Sequence, residues 1–112
     1  MATSQRVRDP LKIWRRDATH APVAGAGTID SGVAPGYGWN TITAVMRLPA
    51  GSGTLEIQQK LRTSSTWATT DTLSLAGPGA ISGVANRTGE LVRAVFTNGA
   101  APQTPEILVG LT

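Results

Sequence analysis

The chain has no cysteine, a single histidine, and only five aromatic residues: three Trp, one Tyr and one Phe. Without thiols there is no disulfide scaffold, no thiolate zinc site and no Cys nucleophile, and a multi-histidine metal site would need a second chain. No stretch approaches the roughly 18 consecutive apolar residues of a membrane span, and the N-terminal residues lack the apolar core of a signal peptide. These features predict a chain made and assembled in the cytoplasm, with no membrane partner and no cofactor. Long helices are excluded next, because 13 Gly and 7 Pro interrupt 112 residues too often for them. What is present is 40% hydrophobic and 15% charged residues, the composition of one packed domain.

The formal charge of +3 is unevenly placed. Arg6, Arg8, Lys12, Arg15 and Arg16 outnumber Asp9 and Asp17 near the N-terminus, whereas positive and negative groups cancel beyond residue 20. The pI of about 10.2 therefore describes a basic segment on a neutral domain. A boundary near Pro22 divides the sequence into an extended basic N-terminal arm, residues 1–22, and a domain over residues 23–112.

Within that domain the apolar period is two. Leu55, Ile57, Gln59 and Leu61 share one face of a strand over Thr54 to Leu61, with Thr54, Glu56, Gln58 and Lys60 on the other. From Trp39 to Leu48, the residues Ile42, Ala44, Met46 and Leu48 alternate with Trp39, Thr41, Thr43, Val45 and Arg47. The intervening Pro49-Ala50-Gly51-Ser52-Gly53 reads as a hairpin loop, so these two strands are expected to pair. Short strands follow at Thr70 to Leu75 and Ala80 to Val84, and Glu90 to Thr97 is apolar enough to be central. Asn98-Gly99 opens a turn that Pro102 and Pro105 lengthen before a last strand, Glu106 to Leu111. With Leu11 to Arg16 and Gly27 to Ser31, the pattern predicts an all-β fold, an antiparallel β-sandwich or jelly roll of seven to eight short strands. Arg62 to Thr72 reads as an exposed Ser/Thr-rich loop pinned by Trp67.

Catalytic constellations are hard to assemble. His20 is the only imidazole for a triad and lies beside Pro22, with no element to aim it. Asp30, Glu56, Asp71, Glu90 and Glu106 are scattered singly, unlike the paired carboxylates of a hydrolase. Gly25-Ala26-Gly27, Gly51-Ser52-Gly53 and Gly77-Pro78-Gly79 precede no helix and lack the Lys-Ser/Thr of a phosphate loop, so they read as turns. Asn86-Arg87-Thr88 matches the glycosylation pattern but reads as a turn as well. The expectation is a non-enzymatic protein. Tyr37, Trp39 and Trp67 offer material for a sugar-stacking platform.

The arm is the other candidate. In QRVRDPLKIWRRDATH, cations are interleaved with Val7, Leu11, Ile13 and Trp14, and Pro10 favours extended backbone before it. Three partners fit: nucleic acid through counterion release, a neighbouring subunit anchored by Ile13 and Trp14, or the arm's own domain with Leu11 to Arg16 as first strand. A combination also fits, with Lys12 to Arg16 as an edge strand and Met1 to Arg8 as a tail.

The order LPAGSGTLEIQQ, then Trp67, then GELVRAVFTNGAAPQT and a final EILVGL resembles small virion structural proteins of tailed bacteriophages. The resemblance covers residues 50–111. It is carried by Gly53, Thr54, Leu55, Glu56, Ile57, Gln58, Gln59, Trp67, Val92, Arg93, Val95, Thr97, Asn98, Gly99 and Gln103. Leu91 departs from it where an aromatic is usual, as does Lys60 where a serine opens the loop. It implies a virion β-sandwich of capsid decoration or cement type: a homo-oligomer, often a trimer, that staples neighbouring major capsid protein subunits, with nucleic acid a lesser partner. Its contacts would be Arg6, Arg8, Lys12, Ile13, Trp14, Arg15 and Arg16 in the arm, with Trp67 as an exposed loop contact. The alternative within the same resemblance is a tail or fibre module that binds a receptor or glycan.

Overall fold

A computed structural model describes residues 11–112; Arg6 and Arg8 lie outside the described residues. Within them nine strands form: β1 (Leu11–Arg16), β2 (Thr28–Asp30), β3 (Ala34–Pro35), β4 (Thr41–Leu48), β5 (Gly53–Lys60), β6 (Ala68–Leu75), β7 (Gly79–Asn86), β8 (Leu91–Asn98) and β9 (Glu106–Leu111). Among the described residues there is no helix. The strands make two antiparallel sheets, one in the order β1-β9-β4-β7 and one in the order β2-β8-β5-β6, with β3 continuing beside β8. Every connection except β2 to β3 and β5 to β6 crosses between sheets. That crossing pattern makes the all-β sandwich a jelly roll.

The core is the alternation read from the sequence. Ile42, Ala44, Met46 and Leu48 of β4, with Ile107, Val109 and Leu111 of β9, meet Leu55 and Ile57 of β5, Leu73 of β6 and Val92, Ala94 and Phe96 of β8. Each large side chain so buried contributes about 1.5–3 kcal/mol relative to exposure. β8 is central, as its apolar run predicts, with β5 on one side and β2 and β3 on the other.

One expected pairing does not occur. β4 and β5 lie in different sheets, and β4 pairs with β7 and β9 instead. The Pro49–Gly53 segment is a crossover between layers, so the two apolar faces look at each other across the core rather than lying side by side. Buried Gln103 holds the crossover: its Oε1 accepts the backbone N–H groups of Ala50 (3.2 Å) and Gly51 (3.0 Å), and its Nε2 donates to the Ser52 carbonyl at 2.9 Å. Gly53 is required where β5 begins, because a Cβ there would lie 2.7 Å from the Phe96 ring. The loop expected to reach Thr72 also ends earlier. β6 starts at Ala68, and its Ser/Thr content reflects the exposed positions of an edge strand rather than a loop.

The first strand settles where the basic segment goes from Leu11 onward. β1 pairs antiparallel with β9, with a bulge between Lys12 and Trp14, and Ile13 and Trp14 pack against the core. Val23 is bridged to Gln103, so residues 11–23 are tied to the sandwich at both ends.

Candidate docking face

The bulge in β1 sorts the predicted contact residues. Trp14 and Arg16 pair with inward-facing Val109 and Ile107, whereas Lys12 and Arg15 pair with Gly110 and Leu108 on the outer face. The arm residues are therefore not one surface. Arg16 turns to the edge, where its Nη2 donates to the Ala21 carbonyl at 2.7 Å and its buried Nε has no partner among the described residues. The side chains of Lys12 and Arg15 have no hydrogen-bond or ion-pair partner among the described residues.

Rows across this outer face follow from the register: Lys12–Gly110–Thr43–Val84, then Arg15–Leu108–Val45–Ser82, then Glu106–Arg47–Ala80. Their centre is apolar and open, with Leu108 41%, Val45 45% and Val84 66% exposed. An open groove of about 470 Å³ runs between β1, β9 and β4, lined by Lys12, Arg15, Arg16, Arg47, Asp17 and Glu106 around Val45, Ile107 and Leu108. Both carboxylates are already engaged. Glu106 is paired with Arg47. Asp17 accepts the Thr19 hydroxyl and the Thr19 N–H at 2.9 Å. Those two bonds, with His20 at 3.2 Å, hold its carboxyl down at about 2. The groove thus presents cations beside apolar surface, a combination suited to burying against an acidic protein partner.

Trp67 lies in the loop expected for it, partly rather than fully exposed. It is half-buried just before β6 and covers the outer face of the other sheet, with the Arg93 guanidinium 4.4 Å and the Lys60 ammonium 5.1 Å from its ring centroid. Such cation contacts contribute about 0.5–2 kcal/mol. Arg93 is aimed by Gln58, whose Oε1 accepts from its Nε at 2.7 Å. Trp39 packs against the core, and Tyr37 donates its hydroxyl to Glu90 while Arg62 lies 5.6 Å from its ring. The Tyr37 hydroxyl, and then the Arg62 N–H at 3.0 Å, hold the Glu90 carboxyl below its usual value. The three aromatics thus have different surroundings: Trp67 under two cations, Trp39 against the core and Tyr37 beside Glu90.

Two glutamines within the recognised stretches organise the ends of the sandwich. Buried Gln59 accepts the N–H groups of Thr88 (2.6 Å) and Gly89 (2.8 Å) on Oε1 and donates from Nε2 to Thr70 Oγ1 and the Asn86 carbonyl. At the opposite end, Gln103 Nε2 also donates to Asn98 Oδ1, while Asn98 Nδ2 reaches the carbonyls of Val23, Ala24 and Ala101. These side chains pin loops. Gln59 is visible in the sequence as a polar residue on an apolar face; nothing local distinguishes Gln103.

The fold and this arrangement define a small jelly-roll module with one bare, basic and apolar sheet face. No protein-family model matches the chain, and no curated protein matches it. Among solved structures it is similar to the PBSX exported protein XepA, with a TM-score of 0.75 and 13% identity over 92% of this chain. The chain spans only 36% of that protein's length. It is also similar to PirA, with a TM-score of 0.62 and 10% identity over 86% of this chain and 100% of that one. A third likeness is to the subunit of the disulfide-linked pili of Bacillus endospore appendages, with a TM-score of 0.58 and 12% identity over 99% of this chain and 96% of that one. At these identities the likeness is one of fold.

Proposed function

We propose that this chain is a non-enzymatic structural subunit of a virion, a capsid decoration protein that docks on neighbouring major capsid protein subunits. The observation that carries the reading is the outer face of the β1-β9-β4-β7 sheet, where Val45, Val84 and Leu108 stand exposed beside Lys12 and Arg15. Supporting it are the resemblance over residues 50–111 and the fold shared with an exported PBSX protein and a pilus subunit, both consistent with an assembled or extracellular setting. Docking would bury the apolar stripe and bring Lys12 and Arg15 against carboxylates of the lattice, steering the encounter and fixing register. A stable contact of this kind needs about 800 Å² per partner, so docking would have to extend beyond the groove over the surrounding rows. The work of such a protein is mechanical, since added interface resists shear between subunits.

The test is gold-labelled antibody electron microscopy of intact particles, followed by rebinding of purified protein to stripped shells. Uniform label over the shell and saturable rebinding are expected; label confined to the tail or one vertex would replace decoration with the tail or fibre reading. The Lys12→Glu, Arg15→Glu double variant should fold normally and rebind at least about 10-fold more weakly, since two like-charge contacts are created. Truncation should remove residues 1–10 only, because a longer deletion takes away β1 and uncovers β9.

A further inference from the structure

Among the described residues the sandwich has four strand edges, and three are guarded. β1 carries a bulge and the cations Lys12, Arg15 and Arg16. The β2 and β3 edge is three residues and then two, ending at Pro35. β6 has an extra residue where its register with β5 shifts between Ile57 and Gln58, and carries Asp71. Bulges, charges, brevity and proline are the devices that stop an edge from recruiting another strand.

β7 has none of them. Its eight residues, Gly79–Asn86, contain no charge and no proline, and they pair with β4 without a break from Thr41↔Asn86 to Leu48↔Gly79. The direction of its backbone groups follows from the ladder. Thr41 exchanges both backbone hydrogen bonds with Thr112 on the β9 side, 3.0 Å each, so Ile42, Ala44, Met46 and Leu48 bond toward β7. Their partners Ala85, Gly83, Ile81 and Gly79 use their groups on β4, which leaves those of Ala80, Ser82 and Val84 directed outward, unpaired among the described residues.

We infer that β7 pairs antiparallel with β7 of a second copy, on a two-fold axis through Ser82. The occupant is a second copy because the strand complements itself. Ser82 faces Ser82 at the axis, and Ala80 of each chain lies opposite Val84 of the other, so a small residue receives the side chain that is 66% exposed in the monomer. An isologous contact of this kind closes at two copies, giving a dimer and not the trimer that the resemblance implies. The nearest carboxylate, Asp71, approaches the Gly83 position from the inner side.

The consequence for function rests on the docking reading above. Pairing makes one continuous eight-stranded sheet with two bare faces on the same side, their β1 strands separated by about 34 Å at the usual interstrand spacing. Two joined docking faces make a clamp, since engaging the second becomes intramolecular.

Light scattering after size exclusion, across a dilution series, tests the dimer on the full chain. Twice the 11.6 kDa chain mass is expected; a monomer throughout, or a trimer, overturns the inference. Ser82→Pro removes only an outward N–H and should give monomers with unchanged circular dichroism, and a dimer that survives it overturns the assignment to β7. Should that variant fail to fold, Ser82→Cys decides, because the chain has no other thiol. Oxidation should yield a covalent dimer on a non-reducing gel, with Thr72→Cys as the unreactive control, and an uncrosslinked Ser82→Cys chain overturns the proposal. The Lys12→Glu, Arg15→Glu variant should remain dimeric while losing the shell, which separates failure of the dimer from failure of docking.

Discussion

On the outer face of the β2-β8-β5-β6 sheet, Trp67 lies under Arg93 and Lys60, Glu56 accepts the Thr69 hydroxyl, and Tyr37, Arg62 and Glu90 close one corner. On the other sheet the corresponding surface holds Val45, Val84 and Leu108 in the open and two cations without partners among the described residues. Both sheets are antiparallel, four strands wide in their main order, and share one core. The difference shows where the chain satisfies its surface internally and where it leaves apolar area and charge for something else. An apolar patch that a monomer does not cover marks a contact surface more reliably than composition does, and here it coincides with the basic strand β1.

The contrast is broken most severely at its shared frame. Gln59→Leu leaves the Gly89 and Thr88 N–H groups and the Asn86 carbonyl without their partner, and should cost about 2–3 kcal/mol in urea unfolding. Trp67→Ala removes the cover of one face and should cost about 1–2 kcal/mol, seen as a lower melting temperature. By the same comparison Leu108→Ser on the bare face should change stability by no more than about 0.5 kcal/mol while weakening shell binding. Equal destabilisation by the two would show that the faces do not differ in this way.

A smaller effect concerns acid. The Asp17 carboxyl is held at about 2 in the folded protein against 3.8 ordinarily, so the folded state binds that proton less readily than the unfolded chain. The stabilisation it brings is present above 3.8 and is lost as pH falls toward 2. The urea midpoint of Asp17→Asn should therefore drop less over that interval than that of the wild type. Ala26→Gly should relieve a left-handed backbone at φ 58° and shift the urea midpoint by the equivalent of about 1 kcal/mol or less.

Much of the frame was legible because each strand buries one face. The alternations at Ile42-Ala44-Met46-Leu48 and Leu55-Ile57-Gln59 are the core positions observed, and Leu11 to Arg16 has the strand limits expected. The candidate face was legible only in part. Lys12 and Arg15 were singled out with Ile13 and Trp14, yet the bulge sends the first pair outward and the second against the core. Val45, Val84 and Leu108 read as ordinary members of alternating strands, and they become a stripe only when β4, β7 and β9 lie side by side.

Local alternation and turn chemistry by themselves determined the all-β class, most strand positions and the inward face of each strong strand, since these depend on neighbours two residues apart. The tertiary structure alone decided which strands pair. The Pro49–Gly53 segment looks like a hairpin loop yet crosses layers, because the partners that hold it, Gln103 and Phe96, lie some fifty residues away. The basic segment was likewise unresolved in sequence among nucleic acid, a neighbour and its own domain. From Leu11 onward it joins its own sheet because β9 offers a free ladder and the core a place for Trp14.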